Sequence, residues 1–201
     1  MSSVLSELTP VDTRTQILDC AESRFRMYGY GKTTMAEIAR DASMSAANLY
    51  RYFESKQELG VACAKRCMEE LFAVLRQVVR GPCGSARACL EDFAGEIALW
   101  THDQCGEEPR INELVEMILS ERQDIVFWRE SRVTGLIAEI LSRGNDAREF
   151  DVDNVIEAAQ SIHSALTMFQ LPVFMGLYDR DELERRARAL AELLCRGLQA
   201  R

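Results

Sequence analysis

The chain is poor in the residues and runs that mark many functional classes. No stretch approaches the roughly 18 uninterrupted apolar residues that a bilayer span requires, so a membrane helix is not expected. The start, Met1-Ser-Ser-Val-Leu-Ser-Glu7, lacks a basic segment followed by an apolar block, and the expectation is a cytoplasmic protein. Only two histidines occur, His102 and His163, and they are too far apart to form a His-x-x-x-His metal pair. There is no Gly-x-Ser-x-Gly elbow and no phosphate-cradling glycine loop, so no enzyme is expected, no catalytic or metal residues are assigned, and no cofactor is expected. Internal repeats, low-complexity segments and the alternation of a β-strand are also missing.

What remains is an ordinary globular composition in 201 residues, with 47% hydrophobic and 28% charged side chains and a net charge of −8. That acidity argues against nonspecific coating of nucleic acid, but it is unevenly spread. Residues 1–60 hold seven basic side chains (Arg14, Arg24, Arg26, Lys32, Arg40, Arg51, Lys56) against eight acidic ones; the other 141 residues hold 17 against 24. A near-neutral front and an acidic rear leave room for a local positive patch on a phosphate path. The seven cysteines are an odd number for a disulfide framework, and small buried thiols are the expectation.

Helix punctuation recurs along the whole chain. Thr9-Pro10-Val-Asp12 reads as a cap, a first-turn proline and a first-turn acid, before the apolar series Ile17, Leu18, Ala21, Phe25 and a stop at Gly29. Thr34-Met-Ala-Glu37 is a capping box for a helix over 34–41. Ser45 caps a helix over 45–53, and Ser55-Lys-Gln-Glu58 opens one that runs to Arg80, roughly 37 Å. Further helices are expected at 85–104, 110–119, 121–143, 153–170 and 180–198. The sum is an all-α fold of about nine helices.

The stretch Gly29–Leu59 is the informative one. Helices 34–41 and 45–53, joined by Ala42-Ser43-Met44, have the length and order of a helix-turn-helix. Turned at the helical period, Leu49 and Phe53 face Ile38 and Phe25 as core. Ala47, Asn48 and Arg51 lie on the opposite face, with Tyr50 and Tyr52 flanking it. Ser45, Ala46 and Ala47 are small enough for the helix front to approach a groove floor. Asn48 can pair with adenine and Arg51 can reach guanine or phosphate. Tyr50, Tyr52, Lys56 and the helix start at Thr34 suit phosphates, which fix register without reading sequence.

TTMAEIARDASMSAANLYRYFESKQEL resembles the DNA-binding signature of the tetracycline-repressor (TetR) family of bacterial transcriptional regulators. Thr33, Thr34, Ile38, Ala39, Leu49, Tyr50, Tyr52, Phe53 and Lys56 carry the match. Departures fall at Ser43, where the family often has glycine, and at Ala46-Ala47. The resemblance implies a three-helix DNA-binding domain over 1–57 and an effector-binding, dimerising helical domain over 58–201. It also implies a homodimer on a near-palindromic operator in double-stranded DNA, and a repressor rather than an activator.

The residues agree with a dimer. Ala158, Ala159, Ile162, Ala165, Leu166 and Phe169 on one helix, with Leu183, Ala187, Leu190 and Leu194 on another, form apolar stripes that a two-fold axis would turn into a four-helix bundle. Phe93, Trp100, Met117, Phe127, Trp128, His163 and Phe169 are candidates to line a cavity for a small, largely apolar effector. The alternative is a thiol or metal switch, with Cys63 and Cys67 neighbours on the long helix and Cys83, Cys89, His102 and Cys105 in the segments that follow.

Overall fold

The computed structural model describes residues 12–105 and 109–199. Among the described residues nine α-helices follow in order: α1 (Thr13–Tyr28), α2 (Met35–Asp41), α3 (Ala46–Leu49), α4 (Lys56–Arg80), α5 (Ala86–Cys105), α6 (Asn112–Glu121), α7 (Gln123–Asp146), α8 (Val155–Ala165) and α9 (Arg180–Leu198). Single turns of three-ten helix lie at Pro109–Ile111 and Thr167–Phe169, with a longer one at Pro172–Leu177, and there is no strand among the described residues.

Helix starts follow the capping chemistry written in the sequence. The Thr34 hydroxyl accepts from Glu37 N–H while the Glu37 carboxylate accepts from Thr34 N–H, a complete capping box. Ser45, Ser55 and Asp179 each cap the third residue on. The first helix departs from expectation: it begins at Thr13, with Asp12 at its cap position making no side-chain bond. Thr9 and Pro10 lie outside the described residues. Two other helices are shorter than their apolar patterns suggested. The third ends at Leu49 and continues through tight turn bonds, Arg51 N–H to Asn48 O and Tyr52 N–H to Leu49 O. The eighth ends at Ala165, because the chain tightens into the three-ten turn that tucks Phe169 inward.

Two cores result. The front one joins Ile17, Leu18, Ala21 and Phe25 of α1 to Ile38, Leu49 and Phe53, and it also takes in Leu114, Met117 and Ile118 of α6 and Ile125 of α7. Thus α6, from the rear of the sequence, is built into the front unit, and chain order and core membership divide the molecule differently. The rear core gathers the second half of α4 with α5, α7, α8 and α9. Met68 and Trp128 touch both cores, so α4 and α7 form the shared spine. Phe93 and Phe169 are fully enclosed in the rear core, and Met117 lies in the front one.

The apolar stripes of α8 and α9 divide between inside and outside. Ala159, Ile162, Leu166, Phe169, Leu183 and Ala187 face the chain's own core. Ala158, Leu190 and Leu194 are half-buried, whereas Ile156, Ala165 and Leu193 face outward. Helices packed on one side against α5 and α7 must bury the larger part of any stripe there first.

Candidate nucleic-acid interface and cavity

The helix-turn-helix is braced from behind. Arg24 of α1 donates from Nε to Asp41 at 2.5 Å and sits 3.4 Å from Glu37, which ties α1 to both ends of α2. Gln16 Nε2 reaches Ala42 O at 3.3 Å. Arg24 holds the Asp41 carboxyl below its ordinary range, and the Thr34 hydroxyl does the same for Glu37. The turn itself is a Schellman motif: Met44 N–H bonds Ala39 O at 2.9 Å and Ser43 N–H bonds Arg40 O at 3.1 Å. Ser43 occupies the left-handed position with φ 56°, where glycine is the strain-free residue.

This bracing turns one face outward. Thr34, Ser45, Ala47, Tyr50, Arg51 and Tyr52 are exposed, Tyr50 at 51% and Tyr52 at 42%. Ala46 and Asn48 are half-buried, and Asn48 Nδ2 rests 4.0 Å from the Met44 sulfur. Thr34 and Ser45 spend their hydroxyls on capping, so what they present at the surface is mainly a helix start. Lys56 is half-buried. Its Nζ donates to Tyr30 O at 2.8 Å and lies 4.3 Å from the Tyr30 ring, fastening the loop that precedes α2. Three cations near this face, Arg14, Lys32 and Arg51, are exposed and form no ion pair among the described residues. Sequence reasoning assigned neither Arg14 nor Lys32 to this face; the Arg14 guanidinium lies 4.9 Å over the Phe53 ring, just past the third helix.

A cavity of about 390 Å³ opens where the two cores meet. Its wall takes Glu22, Phe25 and Arg26 from α1, Cys63, Ala64, Cys67, Met68 and Leu71 from α4, and Trp100, Thr101 and Cys105 from α5. Ile111, Leu114, Val115, Ile118 and Leu119 come from the α6 region; Val126, Arg129 and Glu130 come from α7, and His163, Gln170, Leu171 and Pro172 from α8 and beyond. Of the expected lining, Trp100 and His163 are there. Phe93, Met117 and Phe169 are packed into core, Phe127 is 62% exposed, and Trp128 sets its edge against Phe72 with ring centroids 5.5 Å apart. The apolar part of the wall is mostly aliphatic because the large rings were used to close the cores. Arg129, which the sequence reading missed, donates to Gln170 Oε1 at 2.9 Å, and burial pushes its guanidinium down to about 10. Burial, helped by the Arg129 charge, likewise lowers His163.

None of the described cysteines is in a disulfide, and burial pushes up Cys63 and Cys67, the latter to about 12. That disfavours the thiolate needed for exchange or metal ligation. His102 sits 3.3 Å from Asp103, and no group of three or more His, Cys, Asp or Glu gathers as metal ligands among the described residues. No helix among the described residues is long and apolar enough to cross a membrane.

Known proteins fit this geometry. Curated relatives include the transcriptional activator FasR of Mycolicibacterium smegmatis, 32% identical over 140 residues. That match covers 63% of this chain and 63% of FasR, so the aligned region spans under two thirds of that protein. The probable transcriptional regulator ArpR of Pseudomonas putida is 26% identical over 165 residues, covering 73% of this chain and 74% of its own. A solved transcriptional regulator from Cytophaga hutchinsonii shares the fold with a TM-score of 0.71 at 23% identity, covering 92% of this chain and 97% of that one. One of the TetR/AcrR family from Thermobifida fusca does so at 0.69 and 22%, covering 94% and 100%. The family model for bacterial regulatory proteins of the tetR family matches residues 17–63, and that for the tetracyclin repressor-like C-terminal domain matches 86–191. The chain belongs to the TetR family of DNA-binding bacterial transcriptional regulators.

Proposed function

We propose that this protein is a homodimeric, cytoplasmic repressor that holds a near-palindromic operator and releases it when a small, largely apolar effector enters the cavity. The observation that carries the reading is Phe25, which belongs to the front core and to the cavity wall at once. An occupant therefore touches α1 and α4 directly, and any displacement of either moves the reading head. Only modest differential affinity for the two arrangements is needed.

In this reading the small front of α3, Ser45, Ala46 and Ala47, approaches the groove floor while Asn48 and Arg51 contact base edges. Tyr50, Tyr52, Lys56 and the α2 start at Thr34 contact phosphates, joined by Arg14 and Lys32. The two copies meet through α8 and α9, whose outward Ile156 and Leu193, 58% and 63% exposed, are the apolar side chains left for a partner. Two reading heads set about one DNA turn, roughly 34–36 Å, apart then match the operator halves. FasR carries the name of an activator and KstR2 of Rhodococcus jostii that of a repressor, so the sign is a property to be measured.

The test is anisotropy on a duplex from the chain's own upstream region at fixed salt, while Trp100 fluorescence in a Trp128→Phe background reports entry of apolar compounds. Tight binding that weakens in step with the Trp100 change supports the reading. Failure to bind any upstream duplex overturns it, and binding that tightens on entry makes the protein an effector-dependent binder instead.

A further inference from the structure

The cavity is largely apolar, and among the polar groups of its wall, which also include Glu22, Arg26, Thr101, Glu130, Ser164 and Thr167, one pair stands out. Arg129 reaches its wall from α7, and His163 reaches it from α8. A guanidinium offers a planar fork of N–H donors. In Arg129 one of them goes to Gln170 Oε1 at 2.9 Å, and no carboxylate among the described residues lies within ion-pair distance. Gln170 is itself buried and anchored, its Nε2 donating to His163 O at 3.3 Å, so the amide oxygen that steadies Arg129 is fixed in place. Beside it, His163 Nε2 is buried and has no hydrogen-bond partner.

Other charges at the wall do not answer this one. Glu22 is held by Arg66 at 2.8 Å, and Glu130, the next residue along α7, makes no ion pair with Arg129. Arg26 is tied to Gln104 O at 2.6 Å. An unpaired cation and an orphaned imidazole nitrogen are both costly in an apolar enclosure, and one ligand group relieves both. A single unspent guanidinium matches a single negative charge of planar shape better than a dianion.

We propose, resting on the effector reading above, that the cavity selects an amphipathic organic monoanion: a carboxylate held by the Arg129 fork and by His163 Nε2–H, on an apolar body lying against Trp100, Leu114, Ile118 and Leu171. Gln170 is a positioning residue for the fork. The apolar body supplies binding energy by burial, and the carboxylate supplies orientation and selectivity.

The experiment compares two matched probe pairs, decanoate with 1-decanol and 2-naphthoate with 2-naphthol, by calorimetry on the full chain and on Arg129→Met and Arg129→Lys, with DNA anisotropy read in parallel. The acids should bind about 10- to 100-fold tighter than their neutral partners. Arg129→Met should erase that preference while leaving the alcohols within about twofold, and Arg129→Lys should keep part of it. Should Arg129→Met fail to fold, the wild-type acid-to-alcohol ratio and the lysine variant decide. Neutral partners binding as well as the acids overturn the anion site and leave the effector cavity standing. No binding by either acid also overturns the anion site. Acids that bind through Arg129 yet leave DNA affinity unchanged establish the anion site and overturn the effector reading.

Discussion

Glu113, the second residue of α6, accepts a hydrogen bond from Gly31 N–H at 2.7 Å across 82 residues of chain. The same carboxylate fills the space beside Gly29, where any Cβ would run into it, and Gly29 has φ +89°, a conformation that L side chains rarely adopt. The loop entering the helix-turn-helix is thus moulded around a side chain from the helix whose next turn, Leu114 to Ile118, walls the cavity. Nearby, Arg110 donates to Met27 O, Gln57 to Glu121 at 2.6 Å and Arg122 to Glu58 at 2.7 Å. With the turns on either side of it, α6 is thus fastened to the end of α1 and to the start of α4, the helices that flank the helix-turn-helix.

Glu113→Ala should therefore blunt the effect of cavity ligands on DNA affinity while lowering stability by no more than about 1.5 kcal/mol, as for one exposed charge-assisted bond. Gly29→Ala should be the harsher change, about 1–3 kcal/mol, since it adds backbone strain to the collision. Urea denaturation separates the two, and an undiminished ligand response in Glu113→Ala would remove α6 from the coupling.

Ser43→Gly should stabilise the protein. The left-handed position of a Schellman turn costs a non-glycine residue about 1–2 kcal/mol, and glycine's extra freedom in the unfolded chain returns part of that. A net gain of about 0.5–1 kcal/mol is expected, as a higher urea midpoint with an unchanged slope. No gain would mean that Ser43 rests there without strain.

Tyr50→Phe should weaken every DNA duplex by a similar factor, because a lost phosphate contact carries no sequence information. Asn48→Ala should relax preference at one base position per half-site by about 1–3 kcal/mol. Binding measured across a set of single-base operator variants distinguishes them; a Tyr50→Phe effect confined to one base would reverse the assignment.

His163 predicts a pH dependence of stability. Burial and the Arg129 charge lower its folded pKa, while Glu130 and the Gln170 bond oppose them more weakly. A depressed histidine contributes stability that is fully present above its unfolded value of about 6.5 and is lost as pH falls through the folded value. The unfolding midpoint should fall as pH drops below about 6.5, and His163→Asn should flatten that slope. Equal slopes in the two proteins would show that the imidazole is not held neutral by its surroundings.

The fold and the helix-turn-helix are legible in the sequence because capping and period are local. Thr34 with Glu37, and Ser55 with Glu58, place helix starts by bonds three residues long. Helix ends were harder: the end of α3 at Leu49 depends on turn bonds that no apolar spacing encodes. The cavity was only partly legible, because aromatic content does not say which rings close a core. Phe93 and Phe169 close one; Phe127 faces out. A better signal was present. Ile125, Val133, Ile137 and Leu141 fall on one buried stripe of α7, and Arg129 sits in its i, i+4 register, a charge where the period demands an apolar side chain. Gln170, Glu113 and Arg14 left no such mark, since each matters through a contact made by tertiary packing alone.

The double membership of Phe25 has a thermodynamic corollary. A free energy that passes from cavity to reading head must pass back undiminished, because equilibrium linkage has no direction. Under the proposed function, operator DNA is itself a ligand that reshapes the cavity: whatever factor an occupant imposes on DNA affinity, the duplex imposes on the occupant. For a repressor released by its signal, the apparent affinity for that signal is set in part by how many operator sites the genome presents, and a titration without DNA reports a tighter-binding sensor than the one bound at the operator.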